Sequence, residues 1–157
     1  MPSKILIVDD HDVVRQGVRS FLSTHPDWEV CGEAADGQPA IDAVAALKPD
    51  LVILDITMPN MSGLEAASQI ARMAPATRIL IFTMHESRRM EFDVREAGAH
   101  GFVQKSQAAR DLILAVESLL SGGTFFGRQI SAQAEGKQGS EPAPGPKISL
   151  RCARGFA

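Results

Sequence analysis

Along the first 125 residues, short apolar runs that end in polar residues alternate with stretches of helical spacing. Lys4–Val8 is an apolar run stopped by Asp9 and Asp10. Val13–Leu22 follows with Val14, Val18, Phe21 and Leu22 on one helical face. Glu29–Ala34 is a weaker strand pattern, and Pro39–Leu47 is an Ala-rich helix ending at Lys48-Pro49. Leu51–Leu54 is wholly apolar and ends at Asp55. Leu64–Met73 is helical and is closed by Pro75. Ile79–Phe82 is a fourth apolar run, ended by Thr83. Arg88–Ala97 is helical, with Gly98 in place for a left-handed C-cap. Gly101–Val103 is a brief last strand before Gln104 and Lys105, and Asp111–Leu120 is a helix with Leu112, Ile113, Val116, Leu119 and Leu120 facing inward.

Strands that are apolar on both faces and alternate with helices specify an α/β fold. The pattern predicts a five-stranded parallel sheet with helices on both faces. In such sheets ligands gather beyond the carboxyl ends of the strands. The residues standing there are Asp9, Asp10, His11 and Asp12 after the first strand, Asp55 after the third, Thr83 after the fourth and Lys105 after the fifth.

Their chemistry is mutually consistent. Clustered carboxylates repel one another and call for a cation. An all-oxygen acidic site suits Mg²⁺, which keeps several waters and takes few protein ligands. A lysine can pair with a carboxylate at rest and with a phosphoryl group later. A threonine hydroxyl can donate to a phosphoryl oxygen. Taken singly, each residue has a plainer reading. Asp12 directly precedes the first helix and is expected to be its N-cap. Thr83 alone could be a turn residue and Lys105 a solvated charge. The adjacent pair Asp9-Asp10 is harder to dismiss, and the ordered set over four strands harder still.

The chain of 157 residues carries 16 Lys+Arg against 19 Asp+Glu, a formal charge of −3. That balance gives no electrostatic reason to expect whole-chain binding to nucleic acid or an acidic membrane. The apolar N-terminal run is too short for a signal peptide or anchor, so a membrane role is not expected. Cys31 and Cys152 lie far apart with no CxxC companion, which disfavours a disulfide framework or zinc site and makes the cytoplasm the expected compartment.

Composition changes near residue 126. Residues 131–157 contain four Gly and three Pro among 27 residues, and Pro142, Pro144 and Pro146 alternate with Ala143 and Gly145. This suits an extended linker. The expected organisation is residues 1–125 as one domain and 126–157 as a flexible linker or tail without a complete output domain.

The strand-end residues with their neighbours resemble the receiver domain of two-component response regulators. The motifs are Ile5-Leu6-Ile7-Val8-Asp9-Asp10-His11, Leu51-Val52-Ile53-Leu54-Asp55-Ile56-Thr57-Met58-Pro59, Met61-Ser62-Gly63, Ile81-Phe82-Thr83 and Gly101-Phe102-Val103-Gln104-Lys105. The resemblance spans about residues 3–125. It implies a flavodoxin-like (βα)5 fold with Asp55 as phosphoacceptor. It further implies a Mg²⁺ site from Asp9, Asp10, Asp55 and the backbone carbonyl of Thr57. Thr83 and Lys105 would contact the phosphoryl group, and Thr83 and Phe102 would form a switch. For Phe102 an ordinary core aromatic is the competing reading. The implied partner is a sensor histidine kinase, with a homodimer on phosphorylation as a further possibility.

Asp9-Asp10-His11-Asp12-Val13-Val14-Arg15-Gln16-Gly17 and Thr83-Met84-His85-Glu86 are similar to the NarL/LuxR-type subfamily, in which a helix-turn-helix domain follows the receiver. Lys147–Ala157 starts like the entry to that domain and breaks off. Truncation or a frameshift is the expectation, and sequence-specific DNA binding by this chain is not expected. His11 and His85 read as non-catalytic neighbours of the acids. Met84 either limits access to the site or fills the core. Trp28 is expected to be a partly buried loop anchor. Val13, Arg15 and Arg19 with Asp111 and Glu117 form either a weak dimer face or a solvated surface.

Two other readings compete. Asp10-His11-Asp12-Val13-Val14 fits the nucleophile motif of haloacid-dehalogenase-type phosphatases, with Asp10 as nucleophile. No late paired-acid motif follows Lys105, and Asp55 would be left without a role. A flavin-type cofactor module shares the architecture, yet three carboxylates in its first loop would repel the phosphate it must cradle.

Overall fold

The computed structural model describes residues 2–84 and 89–126. The chain runs β1 (Ser3–Val8), α1 (Asp12–Ser23), β2 (Trp28–Ala34), α2 (Gly37–Leu47), β3 (Leu51–Leu54), α3 (Gly63–Met73), β4 (Arg78–Thr83), α4 (Met90–Glu96), β5 (Gly101–Gln104), a 3-10 turn at Lys105–Gln107, α5 (Ala108–Leu120) and β6 (Phe125–Phe126). The strands form one sheet in the order β2-β1-β3-β4-β5-β6, and every pairing is parallel.

Alternation along the strands sorts the core into two layers. Leu6, Val8, Val52, Leu54, Ile79 and Ile81 point to the side covered by α2, α3 and α4. Ile5, Ile7, Leu51, Ile53, Leu80, Phe82 and Val103 point to the side covered by α1 and α5. The central strands β1 and β3 are covered on both faces, which is why their sequences are apolar without alternation. β2 lies at the sheet edge and is only partly covered, so its pattern is weaker. It also carries an irregularity: Ile5 pairs with Val30 and Leu6 with Gly32, leaving Cys31 as the extra residue.

The expected five strands are present, and a sixth short one joins them. Phe125–Phe126 pairs with Gly101–Phe102 on the outer edge of β5. Two residues carry no periodicity, so the sequence pattern had no means of marking this strand. Gly98 has φ 88°, the left-handed conformation expected at the end of α4.

Three local expectations are corrected. The N-cap of α1 is His11, with Asp12 the first helical residue; Asp12 pairs instead with Arg15 one turn on. Trp28 is not in a loop but opens β2, and its ring stacks on His25 with centroids 3.8 Å apart. Asp111 is buried, as is most of Arg15, so neither belongs to a solvated face with Val13 and Glu117. Met84 is 78% exposed and does not fill the core. His85, Glu86, the start expected for α4 at Arg88, Cys152 and the linker or tail expected over 127–157 lie outside the described residues. No helix among the described residues is long and apolar enough to cross a membrane.

Candidate functional site

The parallel register brings the strand-end residues to one edge of the sheet. Val8 pairs with Leu54, and Leu54 with Ile81, so Asp9, Asp55 and the end of β4 leave the sheet side by side. Thr83 pairs with Gln104, which places Lys105 immediately beyond the same edge. Main-chain bonds carry the alignment past the strand ends: the Asp9 amide donates to Ala34 O at 3.1 Å, and the Asp55 amide to Val8 O at 3.0 Å.

Asp9 and Asp55 are nearly buried, at 2% and 4% exposure, while Asp10 faces solvent. Ligand oxygens of Asp9, Asp10 and Asp55 and a ring nitrogen of His11 all lie within 4.8 Å of one another. Lys105 Nζ donates to Asp9 Oδ2 at 2.6 Å and stands 3.5 Å from Asp55 Oδ1. His11 Nδ1 lies 3.1 Å from Asp9 Oδ1 and 3.0 Å from Asp10 Oδ1, and the His11 amide donates to Asp9 Oδ1 at 2.9 Å. Two buried carboxylates thus share one ammonium, with a third carboxylate and an imidazole at the rim.

That arrangement leaves a deficit of positive charge. Burial pushes the Asp55 carboxyl above the ordinary carboxylate range, and the Asp9 charge adds to the effect. Lys105 and the Thr57 main-chain amide, which bonds to the carboxylate, oppose it. A hard cation among these oxygens would favour the ionised form. The donor set of carboxylate oxygens suits Mg²⁺, which binds oxygen and retains waters.

The loop after Asp55 is folded tightly against it. The Gly63 amide donates to Ile56 O at 2.7 Å. A Cβ on Gly63 would fall 1.9 Å from the Asp55 carbonyl oxygen, so only glycine fits there. Ser62 caps α3 by accepting from the Glu65 amide at 3.2 Å. Asn60 in the same loop donates to Asp36 Oδ2 at 2.6 Å, and Asp36 caps α2. The Gly37 amide, with help from Asn60, holds the Asp36 carboxyl below its ordinary range.

Thr83 is fully buried at the end of β4. Phe102 is half-buried, against the α2–α4 side of the core. It sits beside Phe126 on β6, with ring centroids 6.3 Å apart in an edge arrangement. Arg95 of α4 lies over the Phe126 ring at 3.9 Å. The structure therefore brings Asp9, Asp10, Asp55 and Lys105 into one cluster, with Thr83 and Phe102 on the adjoining strands. Sequence reasoning did not connect Glu33 to this region. It lies at the end of an edge strand, and its partners Arg15 and Arg19 are distant in sequence.

Comparison with known proteins identifies the family to which this fold belongs. The family model for the response regulator receiver domain matches residues 5–117. The chain is 38% identical over 126 residues to the response regulator protein VraR of Staphylococcus aureus (strain NCTC 8325 / PS 47), covering 80% of this chain and 60% of that protein. It thus spans somewhat under two thirds of that relative. It is similar to the crystal structure of a LuxR-family two-component response regulator from Aurantimonas sp. SI85-9A1, with TM-score 0.77 and 38% identity over 80% of this chain and 90% of that one. It is also similar to the isolated REC domain of RcsB from Salmonella enterica serovar Typhimurium, solved with the phosphomimetic BeF3⁻. There the TM-score is 0.75 and the identity 28%, over 81% of this chain and 94% of that one. None of these likenesses points to a haloacid-dehalogenase-type phosphatase. The chain belongs to the response regulator receiver domain family.

Proposed function

We propose that this chain is the phosphoacceptor switch of a two-component system, with Asp55 as the residue phosphorylated. The observation that carries the reading is the pairing of Lys105 with both Asp9 and Asp55 at the carboxyl edge of the sheet. The donor is a phosphohistidine on a sensor kinase or a small phosphodonor. An Asp55 oxygen attacks phosphorus, the bond from phosphorus to the donor nitrogen or oxygen breaks, and the leaving group takes that electron pair.

The chain's contribution is positioning and charge. Mg²⁺, when bound by Asp9, Asp10, Asp55 and the Thr57 carbonyl, supplies positive charge against the phosphoryl oxygens. Lys105 adds a second positive charge on the same side and needs only a short movement from Asp9 to reach the phosphoryl group. The same site admits water, which slowly removes the phosphoryl group, and Met84 lies exposed just after Thr83, where it limits that access.

Phosphorylation adds a charge of about −1.5 to −2 and new acceptor oxygens. Thr83 moves to donate to one of them, and Phe102 turns into the space released. Phe102 packs beside Phe126, so the movement reaches the last described strand. By likeness to a LuxR-family regulator, the output is transcription control, in the cytoplasm. A homodimer on phosphorylation and a receiver boundary near residue 125 belong to the same reading.

The test is incubation with a small phosphodonor with and without Mg²⁺, read by intact-protein mass. A phosphoryl adduct that requires Mg²⁺ and is absent from Asp55→Asn supports the proposal. An adduct equally abundant in chelator contradicts the metal role.

A further inference from the structure

Arg15 is tied to the metal-side loop by an arrangement that the sequence pattern did not anticipate. Its side chain is 14% exposed, and the guanidinium reaches three segments at once. Nη1 donates to the main-chain carbonyl of Asp9, Nη2 to Asp12 Oδ1, and Nε to Glu33 Oε1 at 2.9 Å. Glu33 stands on β2, where it pairs with Ile7 of β1. Its other oxygen accepts from Arg19 Nε at 2.9 Å. Arg19 first, and Arg15 with it, hold the Glu33 carboxyl below its ordinary range, so this anchor stays charged.

The geometry has a direction. Glu33 is fixed by the sheet, Arg15 by α1, and the guanidinium plane closes on the peptide that carries the Asp9 side chain. Asp9 is held on its carboxylate by Lys105 and the His11 amide, on its own amide by Ala34 O, and on its carbonyl by Arg15, among the described residues the one side chain that grips the main chain there. A rigid planar fork sets three distances together, which an ammonium of equal charge cannot do.

We propose that Arg15, anchored by Glu33, is a positioning residue for the divalent-cation site, setting the orientation of Asp9 and hence the affinity for Mg²⁺. The inference rests on the reading of Asp9, Asp10 and Asp55 as that site. Arg15 touches no reacting atom. Residues that orient metal ligands from behind commonly control affinity as strongly as this requires.

Charge and position act oppositely here, which makes the test selective. Simple loss of a positive charge near a dication would strengthen Mg²⁺ binding. Arg15→Lys keeps the charge and removes the fork, so weaker binding reports lost positioning. Mg²⁺ binding is measured by titration calorimetry on the full chain, with thermal midpoints in metal-free buffer as the fold check. Arg15→Lys is expected to weaken Mg²⁺ by about tenfold. Glu33→Gln should weaken it in the same direction, and Arg15→Lys should cost less in that background. Arg19→Lys shares Glu33 but does not touch Asp9, and should leave Mg²⁺ affinity unchanged. Unaltered Mg²⁺ affinity in Arg15→Lys with a lowered thermal midpoint would overturn the inference and make Arg15 a purely structural residue. Equal weakening by Arg15→Lys and Arg19→Lys would overturn it too. If the wild-type chain binds no Mg²⁺, the site reading itself fails and takes this inference with it.

Discussion

Lys105 donates to Asp9 at 2.6 Å while standing 3.5 Å from Asp55. In this state, then, its closer partner is the carboxylate that is not the proposed phosphoacceptor. The ammonium is held at the site by one acid and is within a small displacement of the other. Replacing it by an apolar side chain removes the only lysine or arginine whose charged group lies within ion-pair distance of both buried acids, among the described residues. Lys105→Met is expected to slow phosphorylation of Asp55 by about 10²-fold or more, since charge-stabilising donors at reacting oxygens contribute at that level. Initial rates of adduct formation at fixed phosphodonor and Mg²⁺ check this; an unchanged rate would remove Lys105 from the mechanism.

The charge on Asp55 works against the fold when no cation is present. Its native carboxyl is raised by burial and by Asp9, so the native state holds a proton more tightly than the unfolded chain does. Stability from this group is therefore full below the ordinary carboxylate range and is lost as pH rises through the raised native value. At neutral pH in metal-free buffer, Asp55→Asn is expected to raise the thermal midpoint by about 4 °C, the shift that roughly 1 kcal/mol gives in a domain of this size. The gain should narrow as pH is lowered toward the carboxylate range. Thermal unfolding over a pH series reads both; a variant less stable than wild type at neutral pH would contradict the sign.

His100 acts in the opposite sense. Its Nδ1 accepts from the Ile79 amide at 3.0 Å, which requires an unprotonated ring nitrogen. Burial, and after it the Arg78 charge, lowers its native pKa. The unfolded chain therefore takes up the proton first, and stability is lost as pH falls from about 6.5 toward the depressed native value. His100→Asn retains an acceptor of similar reach without the titration. Urea midpoints measured from pH 8 to pH 5.5 should fall more steeply for wild type than for this variant, and parallel curves would refute the assignment.

Two glycines separate close approach from mere flexibility. Gly63→Ala would place a methyl 1.9 Å from the Asp55 carbonyl oxygen, a backbone atom that cannot give way. A loss of about 3 kcal/mol or more is expected, in the range of overpacking against a fixed neighbour. Gly17 lies within α1 with nothing within 4 Å of an added Cβ. Gly17→Ala should stabilise by about 0.5–1 kcal/mol through helix propensity. Denaturant midpoints for the two variants should move in opposite directions.

Much of this could be read from the residues alone. The strand ends were legible because buried parallel strands are apolar throughout and stop abruptly at charged residues, as at Val8-Asp9 and Leu54-Asp55. The convergence of Asp9, Asp55 and Lys105 follows from strand direction, which the alternation with helices dictates. What stayed hidden depends on contacts across the sheet edge. The role of Arg15 needs Glu33, eighteen residues away on another strand. The cap of α1 shifted by one residue because Arg15 draws Asp12 into the first turn. The pairing of Phe126 with Phe102 is set by a two-residue strand too short to carry a pattern.

The central claim is that Asp55, and no other acid of the cluster, receives the phosphoryl group. Borohydride reduction converts an aspartyl phosphate to homoserine, and peptide mass spectrometry then reads its position. After treatment with a small phosphodonor and Mg²⁺, wild type should carry homoserine at position 55 alone. Homoserine at position 10, persisting in Asp55→Asn and lost in Asp10→Asn, would contradict the account and restore Asp10 as the nucleophile.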